Sequence, residues 1–243
     1  MNETINLQLV FPDRHELPFA DPPPGADETP PFGISNVEGP FTIVVDLRRG
    51  WSPERFAAIR LDEAAAVVAL DRFMAQRVEA KGIDASKITV VPPWPHEHAV
   101  WYDAAGRNEF RRAQGLDGKF VVMYSGNHSP CHPLTTLIDA AASLKERDDI
   151  VFAFIGGGSE QATVKRRAAE EGLRNVVVLP YQPLAQLSAS LSSADLHVVV
   201  MGDPFVGMIH PSKVYNIRAL GIPYLYVGPA ESHVSALAPA YSA

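Results

Sequence analysis

From Lys119 onward the chain repeats a single local pattern, a short apolar run followed by an amphipathic stretch. The runs are "FVVMYSG", "IVFAFIGGG", "NVVVLP", "LHVVVM" and "YLYVG", with helical spacing near 133–147, 159–171, 183–194 and 211–220 between them. Leu134, Leu137, Ile138, Ala141 and Leu144 recur at the period of one helix face, as do Leu184, Leu187 and Leu191. Strands this uniformly apolar are covered on both faces, and helices between them make the connections parallel crossovers. The predicted fold class is α/β, a Rossmann-like doubly wound parallel sheet preceded by a partial second α/β domain. Ligands of such sheets sit beyond the carboxyl ends of the strands. That rule points to four loops: 125–133, 156–159, 180–183 and 202–213.

The first half is less regular. Residues 1–40 are broken by "DPPPGADETPP" and are expected to be loop or disordered segment. "FTIVVDL" at 41–47 reads as a buried strand, 53–81 as a helix stopped by Gly82, and Ile88 to Val91 as a strand closed by "PPWP". The expected division is 1–40, a partial domain over 41–95, a linker over 96–118 and the Rossmann-like domain over 119–243.

Composition narrows the classes of function. A formal charge of -7, with no strongly basic run, argues against a nucleic-acid partner. Cys131 is the single cysteine, which suits a reducing compartment. The amino terminus lacks the pattern of a signal peptide, and no apolar run approaches the ~20 residues of a membrane span. A cytoplasmic protein is expected, with peripheral contact at the inner membrane face left open.

The loops differ in what they offer. "YSGNHSPCHP" leaves its strand through Ser125, Gly126 and Asn127, where a ligand can approach the backbone or the turn can simply be tight. His128, Cys131 and His132 match no standard zinc spacing, so no metal is assigned. "FIGGGSEQ" is neither a dinucleotide fingerprint nor a P-loop; it reads as a phosphate loop or as a tight turn with Ser159 capping the next helix. Tyr181 in "VVLPYQP" can stack on a base or pack at a strand end.

"HPSKVYNIRALG" is the most informative segment. A helix is expected from near His210, with Pro211 in its first turn and Gly221 at its stop. Lys213 then opposes the helix dipole by a few tenths of a kcal/mol. A phosphate held between Lys213 and the first-turn N–H groups makes that placement sensible; a solvent-facing lysine is the alternative.

Taken together, these motifs resemble the carboxyl-terminal domain of GT-B glycosyltransferases, in particular family four, retaining enzymes of polysaccharide and lipid-linked glycan assembly. The resemblance covers about residues 62–231, from "AVVALDRFMAQRVEAKGIDASKITVVPPW" through "KFVVMYSGN", "FAFIGGG", "NVVVLPYQP" and "ADLHVVV" to "HPSKVYNIRALGIPYLYVGP". It implies a nucleoside-diphosphate sugar, UDP- or GDP-linked, as donor, with no cofactor and no metal. By that analogy Ser125, Gly126 and Asn127 lie near the diphosphate and Gly156 lines the cleft. Leu179 and Tyr181 sit by the base; Pro211, Ser212 and Lys213 hold the diphosphate, Lys213 as the catalytic group. Met208 and Asn216 stand where many members carry paired glutamates, and Asn216 is counted with the donor contacts.

The same resemblance makes 41–95 a remnant of the acceptor domain. The function expected is sugar transfer to a glycan or lipid-linked acceptor. A non-catalytic nucleotide-sugar-binding module, or half of a split enzyme completed by a partner chain, is the rival reading. His96, Glu97 and His98 follow a proline-rich stretch and read as solvated rather than catalytic. An epimerase would need carboxylates that the donor loops lack, and a nicotinamide-dependent dehydrogenase would need the missing fingerprint.

Overall fold

The alternation after Lys119 becomes a five-stranded, all-parallel sheet. The computed structural model describes residues 8–11, 41–44, 66–93 and 100–237. The chain divides into a larger unit, Pro93–Phe205 with Pro211–Ala243, and a smaller one, Met1–Pro92 with Val206–His210.

In the smaller unit β1 (Gln8–Phe11) pairs antiparallel with β2 (Phe41–Val44) and β3 (Ala66–Ala69). After β3 comes α1 (Arg72–Glu79), and β4 (Ile88–Val90) returns parallel to β3. Two expectations are corrected here. The segment 1–40 contains a strand, because "QLVF" is β-prone and ends before Pro12. The helix expected over 53–81 is a strand and a shorter helix in its described part. Val67 and Val68 are β-branched and favour the strand, and Asp71 starts a new helix by accepting the Met74 N–H at 2.8 Å. Residues 53–65 lie outside the described residues, as do His96, Glu97 and His98.

The larger unit opens with α2 (Ala104–Ala113), inside the stretch expected to be linker. Asp103 caps it through the Gly106 N–H at 2.8 Å, and Phe110 is buried against the sheet. The alternation then runs β5 (Phe120–Asn127), α3 (Thr135–Ser143), β6 (Ile150–Gly157), α4 (Gln161–Glu170) and β7 (Val176–Leu179). It continues α5 (Leu187–Ser192), β8 (Leu196–Val200), α6 (Lys213–Leu220), β9 (Tyr224–Val227) and α7 (His233–Leu237). Ser159 does not cap α4; Glu160 holds that position, with no side-chain bond.

Period-two alternation splits the strands between two cores. Val122, Tyr124, Phe152, Phe154, Val198 and Val200 meet Leu134, Leu137 and Ile138 of the α3 region and Val164 of α4. Val121, Met123, Val151, Ala153 and Ile155 meet Phe110, Leu116, Leu191 and Leu220 on the opposite face. Each such side chain contributes about 1.5–3 kcal/mol when fully buried. Helices on both faces make the sheet doubly wound, as expected. Its order is β7-β6-β5-β8-β9, so the winding reverses between β5 and β8. The carboxyl ends of those two strands form the switch point at which such sheets take ligands.

Candidate functional site at the β5–β8 switch point

Lys213 is the first residue of α6, with Ser212 as the cap residue and no side-chain capping bond. The N–H groups of Val214 and Tyr215 donate to the carbonyls of Pro211 and Ser212 at 3.3 and 3.1 Å, which tightens the first turn. The start expected near His210 is therefore corrected. The residue before a proline is pushed out of the helical region, so the helix begins beyond Pro211 rather than ahead of it. Pro211 contributes its carbonyl to the turn instead of sitting within it.

The Lys213 side chain reaches back to the end of β5. Its stem is partly exposed, but Nζ is buried and has no hydrogen-bond partner among the described residues. A Cβ placed on Gly126 would stand 2.9 Å from Nζ, so a side chain there would push the ammonium aside. Gly126 also has φ +138°, a conformation that side-chain-bearing residues avoid. Beneath the ammonium lies the Tyr124 ring, its centroid 3.7 Å from Nζ. Burial alone pushes the Lys213 ammonium down from the usual lysine range to about 7.

The surrounding polar groups are neutral. His132 Nδ1–H donates to the Val200 carbonyl at 2.7 Å, and burial, reinforced by Lys213, pushes that imidazole down to about 4. His128 is fully buried; its main-chain N–H donates to the Gly157 carbonyl at 2.7 Å. Burial first, and Lys213 in a lesser part, also lower its affinity for a proton. Tyr124 Oη donates to the Asn127 carbonyl at 2.7 Å, and burial pushes that phenol well above its ordinary value. The two imidazoles are directed to different strands, His128 towards β6 and His132 towards β8. Lys213 is thus a buried cation at the switch point with no carboxylate partner among the described residues.

The fold brings the other predicted residues to the same edge of the sheet. Gly126 and Gly156 are direct partners in the β5–β6 ladder, Ser125 pairs with Ile155, and Asn127 with Gly157. A Cβ on Gly156 would stand 2.0 Å from the Gly126 carbonyl oxygen, so this glycine lets β5 and β6 close together. Leu179 ends β7 beside Ile155. Tyr181 follows it, 60% exposed, with Oη donating to the Gly157 carbonyl at 3.3 Å and its ring open to solvent. Asn216 lies one turn beyond Lys213 on α6, partly exposed.

Residues 106–207 match the model of the family described as "Glycosyl transferases group 1". The chain is 31% identical over 160 residues to the putative colanic acid biosynthesis glycosyl transferase WcaI of Escherichia coli K12, covering 64% of this chain and 38% of that protein. It is 25% identical over 169 residues to the probable glycosyltransferase WbjE of Pseudomonas aeruginosa, covering 70% of this chain and 42% of that one. The chain thus spans well under half the length of these relatives. Among solved structures, Anabaena HepE in complex with UDP and glucose shares the fold at TM-score 0.61 and 18% identity, over 72% of this chain and 47% of that one. WaaG, a glycosyltransferase involved in lipopolysaccharide biosynthesis, does so at TM-score 0.53 and 18% identity, over 65% of this chain and 43% of that one. Among the described residues, no helix is long and apolar enough to cross a membrane.

Sequence reading missed the surroundings of Lys213. Tyr124 could have been noticed as the one hydroxylated ring in the buried run "FVVMYSG", two positions before Gly126. The sequence offers His128 and His132 as metal ligands, whereas their carbonyl contacts and burial make them neutral groups.

Proposed function

We propose that the carboxyl edge of the larger unit binds the diphosphate of a nucleoside-diphosphate sugar, and that the protein transfers the sugar to a glycan or lipid-linked acceptor. The observation that carries this reading is the Lys213 ammonium, buried at the switch point without an internal anion. A charge left uncompensated in a desolvated site costs stability unless something neutralises it, and an anionic ligand does so. The first-turn N–H groups of α6, whose first residue is Lys213, are further donors for an anion.

The chemistry follows from that charge. The bond between the anomeric carbon and the diphosphate oxygen breaks, its electron pair stays on the leaving diphosphate, and the acceptor oxygen bonds to the carbon while its proton passes to the leaving diphosphate or to solvent. Negative charge grows on the leaving group during this step. In this reading Lys213 and the helix-start N–H groups stabilise that charge as preorganised donors. Tyr181 offers its exposed ring to the base, and Gly126 lets the diphosphate approach the backbone. The UDP held by HepE, which shares this fold, makes UDP the first nucleotide to test. In this reading the donor domain spans about 119–243, and the smaller unit belongs to the acceptor side.

Titration calorimetry with UDP, GDP, ADP and CDP tests the site. One of them is expected to bind, and Lys213→Ala is expected to weaken it by about 1–3 kcal/mol, the range for a lost charge-assisted hydrogen bond. No binding by any of the four, or equal affinity in the variant, would refute the assignment.

A further inference from the structure

We propose that Tyr124 is the positioning residue for Lys213: the face of its ring takes the place of a carboxylate and holds the ammonium at the switch point while leaving its charge uncommitted. The inference rests on the donor reading above but concerns a group that does not itself touch the diphosphate in that reading.

Three observations lead to it. Nζ lies 3.7 Å from the ring centroid, well inside the ~6 Å within which a cation is attracted to a ring face. Nζ is buried and makes no hydrogen bond among the described residues, so the ring is the contact that favours its charged form. The ring itself is locked. It is fully buried, its Oη donates to the Asn127 carbonyl at 2.7 Å, and His128 meets it edge-on with centroids 5.3 Å apart at 64°.

The alternatives to a ring explain why one serves here. A carboxylate at this place would compete directly with a diphosphate for the ammonium. An aliphatic side chain would leave the ammonium in an apolar wall, where burial drives the proton off. The quadrupole of an aromatic face avoids the first and offsets the second in part, since burial still lowers the ammonium to about 7. It stabilises the cation weakly enough to be outcompeted, and it has no oxygen with which to repel the incoming phosphate. The ionisable groups that sense Nζ are Tyr124, which it touches, and His128, His132 and His197; burial holds the three imidazoles and the phenol neutral at pH 7.

The test separates ring charge from ring shape. Tyr124→Phe keeps the face, and phenylalanines carrying successively more fluorine at the same position keep the shape while draining the face of negative charge. Two readouts are followed in the full chain: the titration of the Lys213 ammonium by NMR, and the affinity for UDP. Tyr124→Phe is expected to change affinity by no more than about twofold. Full fluorination is expected to lower the Lys213 titration midpoint and to weaken UDP by roughly 2- to 30-fold, the spread of a cation–π contact. A Lys213 titration that is the same across the series overturns the inference, leaving Tyr124 as packing alone. If the titration moves while the unaltered protein binds no nucleoside diphosphate, the role of Tyr124 stands and the donor reading fails. In the unaltered protein the Lys213 ε-protons must also show the upfield shift of protons above a ring; its absence overturns the inference without any variant.

Discussion

The two ends of the β5–β8 pair treat positive charge in opposite ways. At the amino ends, Arg107 and Arg111 of α2 close on Asp195 at 2.6 and 2.9 Å, and the Val121 N–H donates to the same carboxylate at 2.8 Å. Arg107 also donates to the carbonyls of Ser192 and Ala194, and Arg111 to that of Lys119. Burial alone would raise the Asp195 carboxyl, but the Val121 N–H and the two guanidiniums outweigh it and hold the group below the usual carboxylate range. At the carboxyl ends, Lys213 has a ring, a glycine and neutral imidazoles. The first site fastens α2 to the sheet with groups that complete one another. The second is incomplete by itself, and a charge that the fold leaves unmatched is available to a ligand.

Removing the internal anion from the first site is the most damaging way to probe this contrast. Asp195→Ala leaves two largely buried guanidiniums without their carboxylate. It is expected to cost about 2–4 kcal/mol in urea denaturation, at the lower side of buried-pair losses because all three side chains keep some solvent contact. Since the native carboxyl is held below its unfolded value, its stabilisation is present above the unfolded value and lost as pH falls through the native one. A loss below about 0.5 kcal/mol would place Asp195 among ordinary surface ion pairs.

Removing the unmatched cation should do the reverse. Lys213→Met is expected to stabilise the protein by roughly 0.5–2 kcal/mol, the gain often seen when the strain of a functional site is relieved. The pH dependence fixes the sign. The native ammonium titrates near 7 and the unfolded one near 10.5, so between those values the unfolded chain binds more protons and this lysine's penalty shrinks as pH rises. The stabilisation by Lys213→Met should therefore be larger at pH 6 than at pH 9. Destabilisation at both values would show that Lys213 is a structural group like the arginines.

How much of this contrast is readable in the sequence follows from the range of the interactions involved. The five-strand alternation depends on local periodicity, so the larger sheet was legible. Lys213 stood out because a cation in a first helical turn conflicts with a local rule. The strand at Ala66–Ala69 was hidden because "AAAVVAL" also has a helical composition, and only pairing with β1 and β4 decides it. The helix Ala104–Ala113 was hidden because a charged segment buries little more than Phe110 and Arg111, and packing rather than propensity holds it in place. The pairings of Tyr124 with Lys213 and of Asp195 with two arginines join residues far apart in the chain. No local pattern announces them.

The most direct measurement is calorimetry of nucleoside diphosphate binding at pH 8, repeated in buffers of different ionisation enthalpy. The second phosphate ionisation lies near 6, so above pH 7.5 the ligand contributes little proton exchange. With its ammonium near 7, Lys213 is mostly neutral in the unliganded protein at that pH, and a bound diphosphate should draw the proton back. The predicted result is uptake of close to one proton per ligand, affinity that falls by up to about tenfold per pH unit above 7.5, and loss of both effects in Lys213→Met. Binding with no proton exchange and an affinity flat between pH 7.5 and 9.5 would contradict a diphosphate held by the unmatched charge of Lys213.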